Sequence, residues 1–166
     1  SFTTGSQDIS FSVFTKRESG FSDTASLVSL AGGVSNTLND VIQIRYDGSN
    51  IESRYWDGST WNYVEGPTMT AGEWYHASAV FDSSSNTLEF FVNGTSQGTV
   101  SNGDMLSGGD SVFVSASSFF AGEVEQGQSS DVNAFTGNID EVKIWNRQLS
   151  STEVTNLKQT NTVDGE

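Results

Sequence analysis

The chain has 166 residues, enough for one domain with its own core, and its formal charge of −14 argues against a nucleic-acid partner. It has no cysteine and no apolar run of membrane-spanning length, so disulfides, thiolate metal sites and membrane insertion are not expected. Its 11 Phe, 4 Trp and 4 Tyr stand among many Ser, Thr, Asn and Gly residues, a composition that favours strands and turns.

Short alternating segments between turn residues fill the first part of the chain, the pattern of an antiparallel sandwich. The predicted strands are 9–14, 25–30, 41–46, 51–56 and 61–64. Asp47-Gly48 and Asp57-Gly58 separate the last three strands. They predict tight hairpins, because Asp-Gly suits turns in which both residues have positive φ.

The same rhythm continues towards the C-terminus. Further strands are predicted at 74–81, 87–92, 95–100, 111–117 and 138–145. Asn93-Gly94 is a hairpin signal of the favoured two-residue type. The segment 118–133 lacks periodicity and is rich in Gly, Ser and Gln, which predicts a long loop of the kind that often carries function.

One short helix is predicted at the end of the chain. Ser150 and Glu153 have the spacing of a capping box, and Leu149 and Val154 have that of a hydrophobic staple. We expect the helix to end near Lys158. The predicted organisation is therefore one domain over residues 1–158 followed by a tail or linker over 159–166.

Three stretches carry a family resemblance. Residues 72–82 (GEWYHASAVFD) and 88–94 (LEFFVNG) resemble the central signature of laminin-G-like and concanavalin A-like jelly-roll domains, and 135–150 resembles their closing strand and short helix. The resemblance implies an all-β fold, a two-sheet antiparallel sandwich with one C-terminal helix. We expect 74–94 and 135–145 to lie face to face across a shared aromatic interior.

The same resemblance implies binding surfaces. In this family the concave face or the rim loops often bind sugars, frequently beside calcium, although some members are pure adhesion or spacer modules. Members commonly open with an extra strand that pairs with the closing strand, whereas this chain begins almost at the following strand. Either residues 1–7 replace that strand, or a neighbouring domain or subunit supplies it.

Strand alternation places polar side chains on one face of the 42–63 segment. The residues expected to bind carbohydrate there are Arg45, Glu52, Arg54, Trp56, Trp61 and Tyr63, with Gln43 beside them. Sugars stack their CH faces on aromatic rings and hydrogen-bond to planar polar groups, and this face offers both. The alternative is an ordinary solvated sheet face shielded by edge aromatics. Phe119-Phe120, in the long loop, marks a second candidate surface.

A calcium site is the expected cofactor site. Asp140 matches an aspartate of the closing strand that ligates calcium in many relatives, and Asp131 and Asn133 could add oxygen ligands. The alternative role for Asp140 is to accept backbone hydrogen bonds at a strand edge.

Other conspicuous residues have simpler interpretations. Trp74 and His76 match core and scaffold positions of the family, so both are expected to pack rather than to bind or catalyse. Asn93-Gly94-Thr95 is formally a glycosylation acceptor, but we interpret it as a hairpin turn.

Catalytic motifs of the related enzymes are absent from the sequence. Retaining glycosidases on this scaffold need two carboxylates about 5 Å apart, and the Glu-x-Asp-x-x-Glu run that supplies them does not occur. Glu123 and Glu125 are the nearest pair, and they fall in the predicted long loop. No lyase or nucleophile-elbow pattern occurs either.

The sequence therefore predicts a non-catalytic, surface-exposed module, extracellular or on a cell surface, that binds glycans or cell-surface polysaccharide with the assistance of calcium. The alternative is a structural or decorative sandwich of a virion or giant adhesin that contacts protein neighbours without binding sugar. A polysaccharide-active enzyme is the third option.

Overall fold

Strands make up most of the computed structural model, which describes residues 7–21, 24–33, 38–57, 59–103, 111–114 and 135–158. The elements are β1 (Ile9–Arg17), β2 (Ala25–Gly33), β3 (Leu38–Asp47), β4 (Asn50–Trp56), β5 (Trp61–Thr68), β6 (Tyr75–Asp82), β7 (Thr87–Val92), β8 (Thr95–Val100), β9 (Ser111–Val114), β10 (Gly137–Trp145) and α1 (Ser151–Leu157). Each predicted strand has an observed counterpart, and several are longer than expected. The predicted loop 118–133 and the tail 159–166 lie outside the described residues.

The strands form two five-stranded antiparallel sheets, which confirms the predicted fold class. The first sheet has the order β10-β1-β6-β7-β8, and the second, here called the meander sheet, has the order β5-β4-β3-β2-β9. The expectation that 74–94 and 135–145 face each other is wrong. Both belong to the first sheet, because β1 pairs with β6 on one side and with β10 on the other.

The core lies between the sheets and follows from strand alternation. Ile9, Phe11 and Val13 of β1 point inward and are fully buried, while Ser10 and Ser12 lie on the opposite face of the sheet and are buried there. Aromatic rings join the layers: Tyr46 stacks on Phe135 with centroids 5.3 Å apart. Each fully buried side chain of this size contributes roughly 1.5–3 kcal/mol to folding.

Two hairpins test the turn predictions. Asn93 and Gly94 have φ of 51° and 75°, which confirms the two-residue turn. The Asn93 side-chain Oδ1 accepts a hydrogen bond from His76 N at 2.9 Å, consistent with a structural role. At the other hairpin the prediction is wrong by one residue: Asp47 pairs with Asn50, and Gly48, with φ of 61°, is the first of the two loop residues.

Helix α1 begins as predicted. The Ser150 side chain caps Glu153 N, the Glu153 side chain returns to Ser150 N, and Leu149 and Val154 are buried together. The Arg147 guanidinium and Ser150 hold the pKa of Glu153 down at about 2. The helix covers Val80 and Phe91 on the outer face of the first sheet. Within the described residues no helix has the length and apolarity needed to cross a membrane.

Candidate functional site

The strand register brings the predicted sugar-binding residues together on the outer face of the meander sheet. Arg45 stands opposite Glu52, Gln43 opposite Arg54, Arg54 opposite Tyr63, and Trp56 opposite Trp61. We call this surface the meander face; it comprises Gln43, Arg45, Glu52, Arg54, Trp56, Trp61 and Tyr63. Their juxtaposition follows from alternation along three consecutive strands joined by short turns.

The charged members of the meander face form a buried network. Arg45 Nε lies 2.5 Å from Glu52 Oε1, and the two residues are 9% and 4% exposed. With the Gln43 amide oriented so that its nitrogen donates to Ser26 Oγ at 2.8 Å, its oxygen accepts from Arg54 Nε at 3.2 Å and Nη2 at 3.3 Å. Arg54 is only 3% exposed. These groups are therefore held in fixed orientations by hydrogen bonds.

An aromatic layer lies against this network. The Arg54 guanidinium lies 3.9 Å from the centroid of the Trp61 ring. The Trp56 and Trp61 rings are 5.4 Å apart and tilted by 55°. Tyr63 is 55% exposed, whereas the two tryptophans are half-buried. The Trp61 ring therefore lies directly against Arg54, and Tyr63 is the most exposed of the three rings.

The loop that joins Trp56 to Trp61 is stabilised by one carboxylate. Asp57 Oδ1 accepts from Ser59 N and Thr60 N at 2.8 Å, and Oδ2 accepts from Asn62 Nδ2 at 3.0 Å. These hydrogen bonds, that from Asn62 first, hold the pKa of Asp57 far below its usual range. Gly58 lies outside the described residues. Asp57 thus acts as an anchor for the loop that positions the two tryptophans.

The predicted calcium site is represented by one residue in the structure. Asp140 is exposed on β10, and its Oδ1 accepts from Glu141 N at 2.7 Å. Calcium takes six to eight oxygen ligands, and among the described residues no three His, Cys, Asp or Glu side chains form a metal-binding group. Asp131 and Asn133 lie outside the described residues. Calcium at Asp140 therefore stays a prediction.

The predictions for His76 and Trp74 have opposite outcomes. His76 is 1% exposed on the outer face of the first sheet, where its ring packs against Phe14 with centroids 4.7 Å apart, so its scaffold role is confirmed. Trp74 is 44% exposed, and the expectation of a core position is wrong. The reason is that Trp74 precedes β6 and lies beyond the end of the core. Glu123 and Glu125, and the surface around Phe119-Phe120, lie outside the described residues.

A second concavity, which the sequence did not suggest, lies at the end of β1. We call it the rim cleft; its volume is about 370 Å³ and it is lined by Lys16, Arg17, Glu18, Ser19, Ala71, Gly72 and Asn138. Lys16 Nζ, beside this cleft, lies 5.2 Å from the centroid of the Trp74 ring. The sequence contains one hint of this cleft, because Lys16 and Arg17 are adjacent basic residues in an otherwise strongly acidic chain.

Solved structures with the same fold include several binding domains. The chain superposes on the Ruminococcus gnavus IT-sialidase CBM40 bound to alpha2,3 sialyllactose with a TM-score of 0.68 and 13% identity, covering 93% of this chain and 84% of that one. A native heptameric SAP-like pentraxin from Limulus polyphemus gives 0.59 and 17%, covering 99% and 74%. The Botulinum neurotoxin serotype G binding domain gives 0.64 and 12%, covering 98% of this chain but only 38% of that one.

These identities are low, so the superpositions establish the fold alone. No curated protein matches the chain. A family model described as the concanavalin A-like lectin/glucanases superfamily matches residues 1–155, nearly the whole chain. The chain belongs to the concanavalin A-like lectin/glucanases superfamily.

Proposed function

We propose that the protein is a non-catalytic extracellular binding module that recognises carbohydrate on the meander face. The observation that carries the proposal is the row formed by Trp56, Trp61 and Tyr63 against the hydrogen-bonded pair of Arg54 and Gln43. No other surface of the described residues combines three aromatic rings with buried planar hydrogen-bonding groups.

The arrangement suits a sugar for two physical reasons. A pyranose presents CH groups on its faces and hydroxyls around its edge, so it contacts an aromatic ring face and planar polar groups at the same time. Because the buried Arg54 guanidinium is held by Gln43 and lies against the Trp61 ring, that ring is fixed in position before a sugar binds. Preorganisation of this kind raises affinity by lowering the entropic cost of association.

The comparisons support the same proposal at a coarser level. One structural neighbour is described as bound to a sialylated sugar and another as a toxin binding domain. Neighbours of this kind support a binding role outside the cell, with glycans or cell-surface polysaccharide as partners. They also favour a non-catalytic module over a polysaccharide-active enzyme.

A glycan array followed by calorimetry with the strongest glycan tests the proposal. Tyr63→Ala removes the most exposed ring of the meander face, and we expect it to weaken binding at least about tenfold, as truncation of a central aromatic contact does. Trp61→Ala should weaken binding further, because Arg54 loses the ring that covers it. Trp74→Ala removes an exposed aromatic from the first sheet and is the matched control. Equal affinity in the wild type and the Tyr63→Ala variant would contradict the proposed site.

The alternative function is a structural sandwich of a virion or giant adhesin that contacts protein neighbours. The position of β10 supports it, since among the described strands it is the last in its sheet, and edge strands pair readily with other chains. Silence of the array across acidic, neutral and algal glycans would favour this alternative over carbohydrate binding.

Calcium assistance is tested separately. If Asp140 contributes to a calcium site, millimolar calcium raises the melting temperature relative to a chelator, and Asp140→Asn abolishes that difference. Equal melting temperatures with calcium and with chelator would contradict the calcium prediction while leaving the meander face untouched.

A further inference from the structure

The chain contains two Asn-Gly sequences, Asn93-Gly94 and Asn102-Gly103. An asparagine side chain can be attacked by the backbone nitrogen of the next residue, and glycine obstructs this approach least because it has no side chain. The reaction is intramolecular, so its rate depends on how freely the side chain and the backbone reach the attacking geometry. The fold therefore decides which of the two asparagines reacts.

The structure holds Asn93 by both its backbone and its side chain. Asn93 N donates to His76 O at 2.8 Å, and Asn93 Oδ1 accepts from His76 N at 2.9 Å. A Cβ added to Gly94 would lie 3.1 Å from Thr155 Cα, so the turn also packs against α1. Although Asn93 is exposed, its side-chain carbonyl is bound to β6 and cannot turn towards Gly94 N unless the hairpin opens.

The structure holds Asn102 by its backbone alone. Asn102 N donates to the Tyr55 hydroxyl at 3.0 Å, and the same hydroxyl lies 3.2 Å from Asn102 O. Asn102 is exposed, and its side-chain amide has no hydrogen-bond partner among the described residues. Gly103 follows with φ of 77°, a conformation that glycine adopts without strain. The Asn102 side chain can therefore rotate towards Gly103 N without losing a described hydrogen bond of its own.

Asn102 and Gly103 contact two other parts of the molecule. Tyr55 is fully buried, and its hydroxyl lies 3.2 Å from Gly103 O as well as from Asn102 O. A Cβ added to Gly103 would lie 3.1 Å from Asp57 Oδ2, which belongs to the carboxylate that anchors the loop between the two tryptophans. A change in the backbone at this point therefore reaches both the core and that loop.

We propose that Asn102, and not Asn93, is a site of spontaneous deamidation and isomerisation in the folded protein. Gly103 N attacks Asn102 Cγ and loses its proton, and the side-chain nitrogen leaves as ammonia, which closes a succinimide ring. Water then opens the ring at one of its two carbonyl carbons. Opening at Cγ gives aspartate, whereas opening at the main-chain carbonyl carbon gives isoaspartate, whose main chain runs through Cβ and Cγ. Water is the only co-reactant, and the net change is the gain of water and the loss of ammonia.

Isoaspartate is the product with the larger structural effect. Its main chain is longer by one methylene group, so the amide nitrogen of residue 102 and the carbonyl oxygen of Gly103 cannot both keep their positions at the Tyr55 hydroxyl. Loss of one buried hydrogen bond should lower the melting temperature by about 2–4 °C in a chain of this length. Both products also add a negative charge to a chain whose formal charge is already −14. None of these steps depends on the carbohydrate binding proposed above.

Tandem mass spectrometry of the full chain after incubation for several days at mildly alkaline pH tests the proposal. No basic, acidic or aromatic residue lies between Asn93 and Asn102, so fragment ions rather than separate peptides locate the change. We expect conversion at Asn102 and at least about tenfold less at Asn93, because the Asn93 hairpin must open first and an opening cost of about 1.4 kcal/mol corresponds to tenfold. In guanidinium chloride, which removes the fold, Asn93 and Asn102 should convert at similar rates. Labelling by an isoaspartyl methyltransferase identifies the isoaspartate.

Two variants assign the reaction and its consequence. Asn102→Gln keeps the amide but lengthens the side chain, which disfavours ring closure, so this variant should lose the conversion and keep its melting temperature during incubation. Asn93→Gly is the matched control, since glycine accepts the φ of 51° at that turn. It should convert at Asn102, and its melting temperature should fall during incubation as that of the wild type does. Circular dichroism before incubation establishes that both variants are folded.

Three results would overturn the proposal. The first is no conversion of Asn102 in the folded protein over a period in which guanidinium chloride permits it. The second is equal conversion of Asn93 and Asn102 in the folded protein. The third is an equal fall in the melting temperatures of the wild type and the Asn102→Gln variant during incubation, which would place the loss of stability at another residue.

Discussion

On the meander face, Arg45 and Arg54 are almost fully buried and held by Glu52 and Gln43, whereas at the rim end of the first sheet Lys16 and Arg17 have no described carboxylate partner. The first arrangement uses its charges to fix side-chain positions and presents aromatic rings to solvent. The second leaves charge available at the surface of a cleft. The comparison teaches that burial decides the role of a basic side chain on this fold. Arg45 and Arg54 are buried and fix the positions of their neighbours, whereas Lys16 keeps its charge at a partly exposed position.

The outer face of the first sheet itself has two ends. Helix α1 covers one end through Leu149 and Val154, which pack on Val80 and Phe91. The other end carries Lys16 and Trp74, which are partly exposed. His76 lies between these ends, buried beside Phe14.

The largest predicted effect concerns the buried network. Glu52→Ala should destabilise the fold by about 3 kcal/mol, because Arg45 loses its carboxylate partner in a buried setting. Urea denaturation measures the change. Glu65→Ala is the control: Glu65 is exposed and stands directly opposite Glu52 on β5, and its loss should cost less than about 0.5 kcal/mol. Similar small losses in both variants would show that the meander face is not stabilised by this pair.

The second effect is a pH dependence that originates at His76. Burial, with smaller contributions from Lys143 and Lys158, lowers the pKa of His76 from 6.5 to about 4. The unfolded chain therefore binds a proton below pH 6.5 that the folded chain does not bind until about pH 4. The contribution of neutral His76 to the free energy of unfolding is therefore fully present above pH 6.5. It falls by about 2–3 kcal/mol as the pH decreases to 4.

Replacement of the histidine isolates this contribution from the many carboxylates. The unfolding free energy of the wild type minus that of the His76→Leu variant should decrease as the pH falls from 6.5 to 4, because only the wild type has this group to protonate. Among the described residues His76 Nδ1 has no hydrogen-bond partner, whereas Nε2 lies 3.2 Å from Ser78 Oγ, so the replacement loses one side-chain hydrogen bond. Parallel pH profiles for the two proteins would contradict burial of a neutral imidazole.

A smaller effect is expected at the helix-covered end. Ser150→Ala removes the cap of α1 and should cost about 1 kcal/mol, which lowers the melting temperature by about 2–4 °C. Ser151→Ala, one residue later on the exposed surface of the first turn, should change it little. If both variants melt at the wild-type temperature, docking of α1 depends on Leu149 and Val154 alone.

The two surfaces also differ in how far the sequence predicts them. The meander face depends on alternation along β3, β4 and β5, which are consecutive and joined by short turns, so residues as far apart as Gln43 and Tyr63 could be placed together. The burial of Arg45 and Arg54 could not be predicted, since alternation gives the face of a side chain but not what covers it.

The rim cleft was missed because it joins distant parts of the chain. Lys16, Gly72 and Asn138 meet only because β1 lies between β6 and β10, an order that no local pattern specifies. The same non-local pairing explains the error about 74–94 and 135–145. Trp74 matches a core position of the family, but here it precedes β6 and lies beyond the end of the core, so the match does not predict its exposure.

The smallest predicted effect on stability separates the two surfaces most sharply. Lys16→Ala should cost no more than about 0.5 kcal/mol, the size of an exposed cation–π contact. A double-mutant cycle with Trp74→Ala should return a coupling energy of the same small size. A loss comparable to that of Glu52→Ala would make Lys16 a structural residue like Arg45, because only a buried, tightly held cation costs that much to remove.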